Sequence, residues 1–253
     1  LPIFAAPRRS LPKAIAGFAA IVVSVSILLA SWGPNAWSFL SEQGQRGLQI
    51  ESVGGAPYVL ANFFGYDLTT MFRYGSLEIN AAGAGAIASG VALTGFVLLG
   101  WLGYARLRGR LERVPAGDIA LAIVLISIAT SRVFSPQYMV WVAGIGAFAM
   151  LDARTRMKPV LWLVMLTAVF GQLVYPIYYG SMIDGTWQGV LFQITRIVLL
   201  VTATVWATVS VLRPNLYPEP SDELDVRDEH SEVGVNPVQE SGEARSDQRP
   251  TPR

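Results

Sequence analysis

The chain of 253 residues is 52% hydrophobic with a mean hydropathy of +0.43, which places it among polytopic membrane proteins and away from soluble domains. Its net charge of +1 hides an asymmetry: removing the ten acids and four arginines that follow Leu216 from the 18 acidic and 19 basic residues leaves a body with 8 and 15. No cysteine is present, which excludes disulfides and thiolate chemistry; the single histidine, His230, argues against a histidine-built metal site or triad, so no metal or cofactor is expected.

In chain order, residues 14–32 form the first expected span, close to the ~20 apolar residues a bilayer requires. Arg8, Arg9 and Lys13 precede it, and Trp32 and Trp37 stand like an interfacial aromatic belt at its far end. Gly33, Pro34 and Asn35 stop the helix, and a long mixed segment follows to about Asn80. Residues 81–104 are the second span, rich in the glycine and alanine that let helices approach closely in lipid. Two short apolar runs, 119–130 and 139–151, flank a polar break at 131–138; the fifth and sixth spans cover 159–179 and 189–212.

Lysine and arginine placement orients the chain, because cytoplasmic flanks keep positive charge. Arg106, Arg108, Arg110, Arg113, Arg154, Arg156, Lys158 and Arg213 fall with the N-terminal cluster on one side, whereas Arg46, Arg73 and Arg132 fall on the other. The expectation is an all-α helix bundle of about six spans in the plasma membrane, with both ends of the chain cytoplasmic and a loop and interfacial-helix region outside. Residues 1–213 make the membrane body, and 214–253, rich in Pro, Ser, Glu and Asp, make a disordered acidic tail. The chain opens on Leu1 with no signal-peptide pattern and reads as the C-terminal part of a longer protein. The inner arginines suit anionic lipid, and no nucleic-acid partner is expected.

Two stretches carry candidate chemistry. The first is the polar break, where Arg132 near the hydrocarbon is costly unless paired, wet or snorkelling. Ser135 and Pro136 match a helix start, a hydroxyl N-cap with proline at the first helical position, so a helix N-terminus and a guanidinium converge as an anion site suited to phosphate. A helix over 135–151 rises roughly 25 Å against a hydrocarbon core of about 30 Å, which recesses the break below the surface. The alternative is a snorkelling arginine among interfacial aromatics, Phe134, Tyr138 and Trp141. The second stretch, 43–53, reads as an interfacial helix placing Glu42 and Arg46 one turn apart. There Arg46, Gln49 and Glu51 suit a sugar or phosphate, or Arg46 and Glu51 form a structural ion pair. Glu51, Asp67, Glu78 and Asp184 are the outer acids open to a general-base role, and Arg196 is a further intramembrane charge able to reach the same region.

Gln45 to Ser52 (QRGLQIES) and Val133 to Tyr138 (VFSPQY) with Trp141 resemble the actinobacterial polyprenol-phosphate-mannose-dependent α-mannosyltransferases, integral-membrane enzymes of the glycosyltransferase C superfamily. The resemblance covers roughly residues 14–212. It implies transfer of mannose or a related hexose from a polyprenyl-phosphate carrier to a lipid or glycan acceptor of the cell envelope, outside the cytoplasm and without a metal. On that basis Arg132, Ser135, Gln137 and Tyr138 would hold the donor phosphate, and Arg46, Gln49 and Glu51 would shape the donor or acceptor site. The catalytic aspartate of such enzymes lies in the first outer loop, which would fall upstream of Leu1, and some members carry a histidine where Gln43 stands. A transporter or flippase of polyprenyl-linked sugars is the competing expectation, since it needs the phosphate site and no base.

Overall fold

The computed structural model describes residues 10–218; residues 1–9 and 219–253, which include Arg8, Arg9 and most of the expected tail, lie outside the described residues. The described chain is mostly helical. Four of its helices, Pro12–Ser31, Ala84–Leu107, Lys158–Ile177 and Trp187–Leu212, are long and apolar enough to cross a membrane. The chain is a membrane protein built on an all-α plan, with one small hairpin.

The first helix, α1 (Leu11–Ser31), carries proline in its first turn, where the missing N–H costs nothing, and ends before Gly33, whose φ of 120° suits glycine. The short α2 (Ser38–Gln45) stops at Arg46, whose backbone turns extended (φ −58°, ψ 131°). The interfacial helix expected over 43–53 is therefore not formed. Residues 48–50 pair instead with a hairpin of β1 (Thr70–Arg73) and β2 (Ser76–Ile79): the Ile79 N–H donates to the Leu48 carbonyl at 2.8 Å and the Ile50 N–H to the Leu77 carbonyl at 3.0 Å. Gly47 explains the preference, because a Cβ there would stand 2.7 Å from Glu78 Oε2. Leu48 and Ile50 are buried in a small apolar core with Val59 of α3 (Ala56–Phe63).

The bundle proper comprises α4 (Ala84–Leu107), α5 (Ala116–Ala129), α6 (Tyr138–Ala149), α7 (Lys158–Gln172), the short α8 (Tyr179–Ile183) and α9 (Trp187–Leu212). The last helix packs along both α7 and α5, and Leu121, Leu125, Phe134, Leu200 and Ala203 fill the main core. Because lipid is as apolar as leucine, close contact between such helices depends on small residues. Gly117 of α5 lies against the Ala149 backbone of α6 so closely that a Cβ would overlap it.

Two sequence boundaries shift. The helix after the polar break begins at Tyr138, with Gln137 before it and no side-chain cap, so Ser135 and Pro136 lie in a turn outside the helix. The Ser135 hydroxyl donates to Gln137 Oε1 at 2.8 Å instead of receiving a helix N–H. At the far end, residues 214–218 belong with the body: Tyr217, which is buried, donates its hydroxyl to Asp118 Oδ2 at 2.9 Å. Asp118 also receives the Thr155 hydroxyl at 2.6 Å and the Arg156 N–H at 3.0 Å, tying the start of α5 to the α6–α7 loop and the chain after α9.

Candidate functional site

The two stretches singled out by sequence are hydrogen-bonded to one another. The Gln49 N–H donates to the Arg132 carbonyl at 3.0 Å, and the Phe134 N–H donates to Gln49 Oε1 at 2.7 Å. Arg132 Nη1 donates back to the carbonyls of Gly44 and Arg46, both at 3.2 Å. A buried glutamine side chain thus supplies the partner that the irregular backbone at Phe134 needs away from water.

Behind this clip lies a buried ion pair. Arg196 Nη1 stands 2.9 Å from Glu51 Oε2, with Arg196 1% and Glu51 4% exposed. Gln193, one turn before Arg196 on α9, donates to the Glu51 carbonyl at 2.9 Å, and Gln49 Nε2 donates to Glu51 Oε1 at 3.4 Å. The guanidinium carbon sits 4.0 Å from the centre of the Phe134 ring, a cation–π contact made where no water competes. Burial pushes the Glu51 carboxyl above its ordinary value, against the opposing pull of the Arg196 charge and hydrogen bond. Arg196 Nη2 is buried without a hydrogen-bond partner among the described residues.

The alternative pairing of Arg46 with Glu51 does not occur. Glu51 turns inward with the tight turns of residues 50–55, while Arg46 reaches the hairpin, donating from Nη2 to the Tyr74 carbonyl at 3.0 Å and covering the Tyr74 ring at 5.9 Å. That carbonyl belongs to a two-residue turn, Tyr74–Gly75, in which both residues have positive φ (49° and 76°), the geometry that matches strand twist in short hairpins. Arg46 thereby fixes the hairpin that forms one wall of a cavity.

The cavity, about 670 Å³, has three sides. Phe72 and residues 75–77 come from the hairpin, Ser135, Pro136 and Gln137 from the polar break, and Gln172, Tyr175, Pro176 and Tyr179 from the link between α7 and α8. Gln49 and Glu51 complete the lining, and the Tyr179 hydroxyl lies against the Glu51 carboxylate. Its volume is within the ~300–1,000 Å³ typical of pockets that enclose small ligands.

Of the residues proposed from sequence, Gln49, Glu51, Ser135 and Gln137 line the cavity together, whereas Arg46, Arg132 and Tyr138 do not. Tyr138 stacks on Trp141 with ring centres 4.9 Å apart. Among the outer acids Glu51 alone lines it; Glu78 is buried against Gly47, and Asp67 and Asp184 are exposed. Among the described residues no lysine or arginine lines the cavity, which offers amides, hydroxyls and one carboxylate, a set suited to a hydroxyl-rich neutral ligand. Sequence reasoning passed over Gln193, Gln172, Tyr175 and Phe72. The two glutamines had a usable signal, since an amide inside an apolar run is costly unless it is paired or faces a cavity. Comparison with protein-family models, with curated proteins and with solved structures finds no match for this chain.

Proposed function

We propose that this chain is the donor-site region of a polyprenyl-phosphate-dependent hexosyltransferase, with mannose the sugar implied by the resemblance of its two motifs. The observation that carries the reading is the clip between those motifs: Gln49 joins the Arg132 and Phe134 backbones, and both stretches present side chains to one polar cavity. In this reading the chain crosses the membrane six times, α5 and α6 being the two short spans, and the cavity opens away from the cytoplasm because the arginine-rich ends of α4 and α7 face inward.

The donor hexose occupies the part of the cavity lined by Gln49 and Ser135, which meet its hydroxyls. Arg132 spends Nη1 on two carbonyls, and the rest of its five-donor fork serves the carrier phosphate outside the cavity lining. Arg46 acts through the hairpin and Glu51 through its pair with Arg196. In the transfer, the acceptor hydroxyl loses its proton to a carboxylate base, its oxygen attacks the anomeric carbon, and the bond to the phosphate oxygen breaks with the electron pair leaving on phosphate.

Membranes carrying the full-length protein and supplied with radiolabelled polyprenyl-phosphate-mannose test this. Label moving into a new glycolipid or glycan supports transfer; label that changes leaflet unconverted favours the flippase and defeats the enzyme reading. Arg132→Ala is expected to weaken donor binding with insertion intact, and an unchanged donor affinity removes Arg132 from the site.

A further inference from the structure

Two aromatic side chains at the cavity are exposed although their backbones are tightly held. Phe72 is 72% exposed and Tyr175 51%. Phe72 lies in β1 directly opposite Leu77, and strand alternation puts Met71 and its partner Glu78 on the other face, so the hairpin directs Phe72 and Leu77 together into the cavity lining. The Tyr74–Gly75 turn and the Arg46 hydrogen bond hold that strand pair in register. Tyr175 has extended backbone (φ −121°, ψ 122°) at the break between α7 and α8, the conformation that a following proline imposes, and its ring meets Tyr179 edge-on at 5.4 Å.

Beside these rings stand two exposed amides, Gln137 and Gln172, together with Ser76. Each amide has both donor and acceptor and can bridge two neighbouring hydroxyls. An aromatic face is negative and attracts the weakly positive C–H face of a sugar ring. A lipid contact alone would explain an exposed phenylalanine, as at Phe64, which is 76% exposed and does not line the cavity. It would not explain the amides set in the same wall. A phosphate headgroup is disfavoured at this wall because no cation lines it among the described residues.

We propose that Phe72 and Tyr175, with Gln137 and Gln172, form a saccharide subsite that selects a glycan as the acceptor by stacking against its terminal sugar. The assignment of the bound saccharide as acceptor rests on the transferase reading; saccharide binding by these four residues does not. They act as specificity determinants, and the proton transfer lies elsewhere.

The test uses the full-length protein in lipid nanodiscs and mannobiose as the probe, without donor, read by saturation-transfer NMR titration. Phe72→Ala and Tyr175→Ala are each expected to weaken mannobiose binding about tenfold, and Gln172→Ala about threefold. Phe72→Trp keeps a stacking face and is expected to retain binding, while Phe64→Ala leaves it unchanged. Thermal unfolding of each variant separates a lost contact from a lost fold. Mannobiose that fails to bind the parent protein, or that binds Phe72→Ala and Tyr175→Ala as tightly as the parent, overturns the subsite, the second result being what a lipid-facing role for these rings predicts. Mannobiose binding that depends on both rings in a protein that transfers no label keeps the subsite and defeats the transferase. Transfer with ring-independent binding does the reverse.

Discussion

The two ends of the bundle solve the same problem, a carboxylate removed from water, in opposite ways. At the end carrying Arg154, Asp118 is fully buried and its two oxygens receive three neutral donors from Thr155, Arg156 and Tyr217, joining three pieces of chain and leaving no carboxylate oxygen without a partner. At the end carrying Arg132, Glu51 is met by a full charge, Arg196, whose second terminal nitrogen has no hydrogen-bond partner among the described residues, and a cavity opens on the carboxylate side. A closed, satisfied cluster has nothing left to offer a ligand. A charged pair beside a polar cavity is less settled and can respond to one.

The comparison breaks most sharply at Arg196. Its replacement in Arg196→Leu strands a buried Glu51 and is expected to cost about 3–5 kcal/mol, measured by thermal or denaturant unfolding in detergent. The double variant Arg196→Leu with Glu51→Gln, which removes both charges, is expected to recover most of that loss, since a buried pair contributes little over a neutral substitute. Equal instability in the single and double variants would mean that packing on Phe134, not charge, is what Arg196 supplies.

Asp118→Ala is the matching experiment at the other end. It leaves three donors without their acceptor and is expected to cost about 1–3 kcal/mol, with mannobiose binding and label transfer per folded molecule unchanged. A selective loss of transfer would couple the two ends and undo the division between a structural staple and a functional site.

The difference between these clusters was only partly legible beforehand. Long apolar runs bounded by Gly–Pro and arginine gave the four long helices, because a span needs nothing but length and hydropathy. The polar break was visible as a charge in an apolar setting. What local sequence does not show is pairing across distance: Arg196 stands out as a costly charge, but Glu51 lies 145 positions earlier, and no local pattern selects Arg196 over the nearby Arg46 as the partner of Glu51. The stretch around Gly47 looks helical from the spacing of Glu42 and Arg46 and of Leu48 and Val53, against the low helix propensity of Gly44 and Gly47, whereas Gly47 serves to admit Glu78 from the hairpin. The carboxylate staple at Asp118 was missed for the same reason, since Tyr217 stands 99 positions away in a stretch whose composition resembles the acidic tail.

Arg46 sharpens the comparison at smaller cost. Arg46→Ala removes one hydrogen bond to the Tyr74 carbonyl and a ring contact at the cavity wall, and is expected to lower stability by about 0.5–1.5 kcal/mol. Its effect on mannobiose binding should exceed that on stability, because a loosened Tyr74–Gly75 turn lets Phe72 drift. Arg46→Lys, which keeps the charge but not the planar fork, is expected to behave like the alanine variant. Full rescue by lysine would return Arg46 to a direct electrostatic role.

The smallest effect is expected at Asp152, which supplies the control for burial. Arg154 Nη2 lies 2.8 Å from Asp152 Oδ2, almost the same separation as in the Glu51–Arg196 pair, but both side chains are about one-third exposed. Water already solvates each partner, so Asp152→Asn is expected to cost no more than about 1 kcal/mol and to lose even that in high salt. The Arg154 hydrogen bonds hold the Asp152 carboxyl below its ordinary value of 3.8. A depressed folded-state value means that the small contribution is present above pH 3.8 and fades as the pH falls further. Two ion pairs of matching length that differ several-fold in mutational cost would identify desolvation, not distance, as what sets the Glu51–Arg196 pair apart.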